Sequence, residues 1–231
     1  MVYKLLNKVL NPCGIAVNRL LPRPTWEGEK NRFTYQKKFF NFDIKEGQKI
    51  ADIGCGSDPF PYATTVVDLY TGPTNHRQTH LQTAGKEFII ADIQDLPFSE
   101  KSFDFVYCSH VLEHVEDPMK ACRELMRIGK RGYIEVPSLT TDTLFAWAKG
   151  MHKWFCMVIA RRIIFFEYSP RQLEGIKCNY WKDAHFSEYR HPVQDIFFNN
   201  LDIFNSGLLW EGSFSCTVYG LDGKVNNFDC I

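Results

Sequence analysis

The sequence predicts an α/β protein built on a largely parallel sheet, and three observations point there. Short apolar segments recur from Lys49 onward with turn residues between them: KIADI, TTVVDL, EFIIAD, FDFVYCS and RGYIEVP. A segment of helical spacing, PMKACRELMRIG, separates the last two. The first strand runs into Gly54 and Gly56, and Asp68 closes the second, as in the turn of a nucleotide-binding α/β fold.

Taken in order, the chain opens with a short helix. Leu5, Leu6, Val9 and Leu10 share one side of it, and Pro12 and Gly14 end it. It is expected to cover the protein's own core; a weak contact with a membrane surface is the alternative. EKNRFTYQKKFFNF reads as a second helix, with Phe33, Gln36, Lys37 and Phe40 near successive turns. Residues 1–43 are thus an N-terminal helical segment, and residues 44–231 a single α/β domain. Within the domain helix, Met119, Cys122, Leu125 and Met126 line up, and Gly129 is expected to close it as a left-handed cap. Beyond Ser138 the rhythm changes. HKWFCMVIARRIIFFEY reads as two strands around Ala160, Arg161 and Arg162, and GLLWEGSFSCTVYG as another strand or hairpin. These are expected to finish the sheet with antiparallel strands.

Composition narrows the function. At 231 residues, 45% hydrophobic, the chain holds one sizeable core with room for a small appendage. The 27 basic and 27 acidic residues cancel, so charge makes no case for a nucleic-acid partner. Eight cysteines form no C-x-x-C pair and several sit in apolar runs, as expected of reduced, buried thiols in a cytoplasmic protein. No spacing suggests a metal set. Neither a secretory signal nor a transmembrane span is evident, the longest apolar run being WFCMVIA.

The glycine turn departs from the dinucleotide fingerprint. That fingerprint, G-x-G-x-x-G, opens a full helix, but here Pro59 stands in the third glycine position and Pro61 follows. Fewer than a dozen residues separate Gly56 from Thr65, too few for the usual helical crossover. No long helix then aims its N-terminus at a pyrophosphate. The turn suits a nucleoside carrying an amino-acid tail, which describes S-adenosylmethionine. Asp68 is placed to accept from both ribose hydroxyls, Asp92 from the adenine amino group, and Ile93 to wall the base.

Four ordered motifs carry a resemblance: D-x-G-C-G at Asp52, D-x-x-x-L-P-F at Asp92, F-D-x-V at Phe103 and H-V-L-E-H at His110. Together they resemble class I S-adenosylmethionine-dependent methyltransferases of a broad bacterial type. GYIEVPS is similar to that type's fifth strand. HKWF resembles a segment in a subset with a shortened first crossover. The likeness covers roughly residues 44–166. It implies a Rossmann-like, seven-stranded, mostly parallel sheet with a reversed last strand and helices on both faces. It implies that residues 44–231 are the methyltransferase domain, with S-adenosyl-L-methionine as cofactor. By the same resemblance Asp52, Gly54, Cys55 and Gly56 lie near the methionine part, Asp68 and Leu69 at the ribose, and Asp92 and Ile93 at adenine. Ser109 and His110 border the methyl group. Family members often carry a third glycine where Asp58 stands here.

In such a reaction the cofactor supplies the reactive methyl group and the protein supplies alignment and, for a hydroxyl or amine acceptor, a base. His110 and His114 are the candidates, one helical turn apart on a shared face. They serve equally well as hydrogen-bonding supports for the turn after strand four. His114, His152 and Trp154 are candidates for the acceptor pocket, with Trp154 in the core as the alternative. Cys55 reads as a small filler beside the cofactor. Asp52 is also a natural cap for its own loop. The expected acceptor is a small molecule, a glycan or a lipid-linked intermediate. Two other readings stay open: a domain that binds the cofactor without catalysis, and an NAD-dependent oxidoreductase, which the glycine pattern disfavours.

Overall fold

The computed structural model describes residues 2–15, 17, 20–26, 31–74, 80–83 and 85–230. Glu29 and Lys30 of the expected second helix lie outside them. Ten strands occur among the described residues, in chain order β1 (Ile50–Ile53), β2 (Thr65–Asp68), β3 (Glu87–Ile90), β4 (Phe105–Ser109), β5 (Arg131–Pro137), β6 (Trp154–Ile159), β7 (Arg162–Glu167), β8 (Asn205–Glu211), β9 (Ser215–Tyr219) and β10 (Val225–Phe228). The central sheet has the order β3-β2-β1-β4-β5-β8. Its first five strands are parallel and β8 is reversed against β5. A second sheet, β10-β9-β7-β6, stands apart.

The parallel core and the reversed last strand match expectation, but the central sheet has six strands rather than seven. The two strands around Ala160–Arg162 do form, as the hairpin β6–β7. They leave the sheet because their inward residues have another partner. Cys156, Ile163 and Phe165 pack with Cys216 and Val218 of β9 into the core on one face of the central sheet. For the same reason GLLWEGSFSCTVYG is no hairpin: β8 joins one sheet and β9 the other.

Strand alternation divides the core in two. Val106 and Cys108 of β4 face the helix α3 (Pro118–Ile128) and the second sheet, while Phe105 and Tyr107 face the opposite side. There the helix α2 (Arg32–Phe39) delivers Phe33 among Phe42, Phe60 and Tyr133. Helices thus cover both faces. The short helices α4 (Leu139–Leu144), α5 (Pro170–Gly175), α6 (Trp181–Phe186), α7 (Pro192–Phe198) and α8 (Leu201–Phe204) follow β5 and β7. Around Phe145, Phe197 and Phe204, four of these segments build an aromatic cluster that Tyr35 joins.

Two expectations fail for physical reasons. The first helix, α1 (Val2–Leu10), has no buried residue; Val2, Leu5 and Val9 are each about two-thirds exposed. It does not cover the core. Gly129 is not left-handed: its φ is −104°. A Cβ there would meet Val106 Cγ2 at 2.6 Å, so this glycine answers to close packing against β4.

Gly132 is tighter still. A Cβ would lie 2.3 Å from the Val106 carbonyl oxygen and 2.8 Å from the Trp210 ring. Backbone cannot yield as a side chain does, so Gly132→Ala is expected to destabilise by at least about 1–3 kcal/mol. Gly175→Ala, with nothing within 4 Å, is the control. Urea unfolding of the two variants checks this.

Candidate functional site

The glycine turn is built by hydrogen bonds to the end of β2. The N–H groups of Gly54 and Cys55 both donate to the Val67 carbonyl, at 2.8 and 3.1 Å. Gly56 N–H donates to Asp68 Oδ2 and Tyr70 N–H to Asp68 Oδ1, each at 3.0 Å. Asp68 therefore clamps the turn and presents its carboxylate at the sheet's carboxyl edge. Gly54 has φ +77°, and a Cβ on it would sit 2.2 Å from Val111 Cγ2. Only glycine fits between this turn and the one after β4.

No helix fills the crossover from β1 to β2. The segment is held instead by Phe60, fully buried between two prolines, whose ring stacks on Tyr107 at 4.3 Å and 2°. Phe60 N–H donates to Asp52 Oδ2 at 2.7 Å. The other oxygen, Oδ1, is buried without a hydrogen-bond partner. Burial pushes the Asp52 carboxyl up to about 7, against the pull of the Phe60 amide and the Arg32 guanidinium. Cys55 is buried in the apolar cluster beneath the turn.

At the rim, Asp92 follows β3 and accepts from the Gln94 backbone and side-chain amides at 2.8 and 3.1 Å. Ile93 is buried and Leu69 exposed. Asp52, Gly54, Gly56, Asp68 and Asp92 thus line consecutive carboxyl ends of β1, β2 and β3, where an open α/β sheet binds its ligand.

The end of β4 is more elaborate than its motif suggests. His110 adopts φ 57° and its N–H donates to the Glu135 carbonyl at 2.9 Å. Its ring lies between two buried carboxylates, Nδ1 3.6 Å from Glu113 Oε1 and Nε2 3.4 Å from Glu135 Oε1. Burial works against its charge, yet these carboxylates win and raise it to about 9. Burial would likewise raise Glu113; the imidazoles of His114, His110 and His152 bring it down to about 2. Val111–His114 forms a turn, not a helix, so His110 and His114 do not share a helical face. They flank Glu113 instead, His114 Nε2 standing 3.6 Å from Glu113 Oε1.

His152 comes from the segment between α4 and β6. Its Nδ1 lies 2.7 Å from Asp142 Oδ1, and Asp142 Oδ2 accepts from Tyr168 Oη at 2.7 Å. His114 Nδ1 donates to the Met151 carbonyl at 2.9 Å, since a carbonyl only accepts. The two rings meet edge to face at 4.7 Å. Glu113, His114 and His152 thereby offer three metal-ligand atoms within 4.8 Å of one another. Spacing along the chain cannot show such a cluster, because its third member stands 38 residues away. Trp154 takes the alternative place expected for it. It is buried, and its indole N–H donates to the Val115 carbonyl at 2.7 Å, so it belongs to the core.

Sequence reasoning missed Glu135. This buried carboxylate accepts from Tyr133 Oη at 2.7 Å, Gln36 Nε2 at 2.9 Å, Ser109 Oγ at 3.1 Å and Tyr35 Oη. Burial, with the Glu135 charge added to it, pushes both tyrosines far up, which keeps them donors. The available signal was an acidic residue inside the apolar run YIEV, at a strand position buried on both sides. Asp142, acidic and fully buried, was missed for want of any pattern.

Residues 51–134 match the methyltransferase domain family. A demethylmenaquinone methyltransferase of Paenarthrobacter aurescens is 34% identical over 95 residues, 39% of this chain and 38% of that protein. A cycloartenol-C-24-methyltransferase of Oryza sativa is 30% identical over 125 residues, 46% of this chain and 36% of that protein. The chain thus spans little more than a third of the length of these curated relatives. Among solved structures, an S-adenosylmethionine-dependent methyltransferase from Mesorhizobium loti aligns with a TM-score of 0.38 at 19% identity, over 60% of this chain and 65% of that one. Residues 51–134 are thus similar to the methyltransferase domain family, and the similarity lies on β1 to β5 of the central sheet.

Proposed function

We propose that the protein transfers a methyl group from S-adenosylmethionine to a small-molecule, glycan or lipid-linked acceptor. The observation that carries this reading is the glycine turn clamped by Asp68 over a crossover without a helix. The residues present fit the cofactor. Gly54 leaves backbone where a side chain cannot go. The buried Asp52 Oδ1, without a hydrogen-bond partner, offers an acceptor to an ammonium group at the methionine end. Asp68 and Asp92 then serve ribose and adenine, with Leu69 and Ile93 as apolar walls. When bound, the cofactor's sulfonium makes the methyl group electrophilic.

The protein's share is positioning. Ser109 and His110 stand at the methyl end, and both nitrogens of His110 face carboxylates. His110 therefore has no nitrogen left for an acceptor proton and shapes the site electrostatically. His114 and His152, each with Nδ1 engaged, carry their ring lone pairs on Nε2. They are the residues that meet the acceptor. The exposed apolar stripe of α1 supports a lipid-linked acceptor, approached at a membrane surface. Among the described residues no helix is long and apolar enough to cross a membrane. The test is incubation with methyl-labelled donor and fractionated metabolite and lipid extracts. Label transferred to one fraction supports the reading; tight donor binding without transfer to any fraction argues for a binding module.

Two further outcomes follow. Asp68→Ala removes both the ribose acceptor and the clamp on Gly56 and Tyr70, so donor affinity falls at least about tenfold, measured by calorimetry. The Asp52 carboxyl faces the Phe60 amide, Arg32, Asp58 and Asp68. Because its folded value lies above the ordinary 3.8, the native state holds its proton longer than the unfolded state. Stability is therefore lost as pH rises from about 4 to about 7 and is level above. Asp52→Asn flattens that slope in urea unfolding. In the wild type, donor binding below pH 7 releases a proton, seen as a buffer-dependent heat that Asp52→Asn abolishes.

A further inference from the structure

The most unusual group in the molecule is the Glu113 carboxylate. It is fully buried, and neither oxygen has a hydrogen-bond partner among the described residues. The His110 and His114 imidazoles approach Oε1 at 3.6 Å, whereas Oε2 meets no donor among the described residues, a costly place for an ionised oxygen deprived of water. Around it are His114 and His152, one before β5 in the chain and one after it, with ligand atoms within 4.8 Å of one another. Metal–ligand bonds of about 2.0–2.2 Å set such atoms roughly 3–3.5 Å apart, so a small inward movement closes the set.

The outer contacts match those of metal-binding histidines. A ligating imidazole gives its second nitrogen's proton to a carboxylate or a carbonyl, which fixes the tautomer and turns the other lone pair on the metal. His152 Nδ1 is engaged by Asp142, itself held by Tyr168, and His114 Nδ1 by the Met151 carbonyl. Both rings are thereby set to coordinate through Nε2. The Glu113 carbonyl also accepts from Lys153 N–H at 2.9 Å and Trp154 N–H at 3.1 Å. That pair of bonds locks the segment bearing His152 to the turn bearing Glu113 and His114.

We propose that Glu113, His114 and His152 bind a divalent transition cation. Two imidazole nitrogens and one carboxylate suit zinc, cobalt, manganese or iron over calcium or magnesium. Three protein ligands leave positions open, as in catalytic rather than structural sites. On the methyltransferase reading alone rests the next step: an acceptor oxygen completes the coordination, and the cation lowers its pKa. His114 is then a ligand, and no protein base is needed.

The experiment is a titration of the full chain with cobalt(II) chloride at neutral pH, following visible absorption and melting temperature. The expected result is one saturable equivalent with ligand-field bands and no thiolate charge transfer, displaced by zinc and accompanied by a higher melting temperature. Glu113→Gln and His114→Ala each weaken binding at least tenfold. If Glu113→Gln does not fold, His114→Ala, which alters a partly exposed ring, carries the comparison. Absence of saturable binding, equal affinity in the variants, or a thiolate spectrum overturns the proposal. S-adenosylmethionine binding is measured on the same preparation without metal. Its loss would overturn the methyltransferase reading and leave the cation site standing.

Discussion

The buried Glu135 carboxylate is the point on which the site's architecture turns. Donors from α2, β4 and β5 converge on it: Tyr35, Gln36, Ser109 and Tyr133, with His110 alongside. A charge in that position costs several kcal/mol unless every lone pair is met, so the donors cannot be withdrawn singly. The consequence reaches along the chain. α2 is bound to the sheet by Gln36 as well as by Phe33. The left-handed backbone at His110, unfavourable for a non-glycine residue, is held from both its N–H and its ring.

A second constraint follows from the missing helix between β1 and β2. In a parallel sheet the crossover normally supplies both a cover for the strands and a positive helix end for a phosphate. Here Phe60 supplies the cover by stacking on Tyr107. The polar duty falls to Asp52 and Asp68, which bond the loop's own amides. What remains is a short, rigid turn edged by carboxylates, suited to hydroxyl and ammonium donors and unsuited to a pyrophosphate.

Much of this was legible in the sequence where the cause is local. β1 to β5 announce themselves as apolar runs broken by turns, and the spacing of Met119, Cys122, Leu125 and Met126 marks α3. The crossover's lack of a helix could be read from two prolines and a short span. What escaped depends on contacts between distant segments. Gly129 looks like a cap because glycines often are, but the closeness of Val106 and Trp210 is what leaves no room for a side chain there. β6 and β7 are strands in any reading, yet only the competition of the α3 face against the β5 edge says which sheet they join. Glu113 meets His152, and Glu135 meets Tyr35, across separations that no local pattern records.

The two bonds from the Glu113 carbonyl to Lys153 and Trp154 divide the labour of the molecule. The glycine turn and the ends of β1 to β4 lie before Pro137, and the segment from His152 into the small sheet is fastened to that half here, at the Val115 carbonyl and through the core it shares with α3. A change of length or curvature in the second half is therefore felt at Glu113 and His114, and the exposed loops between its strands are where the chain can vary without moving them.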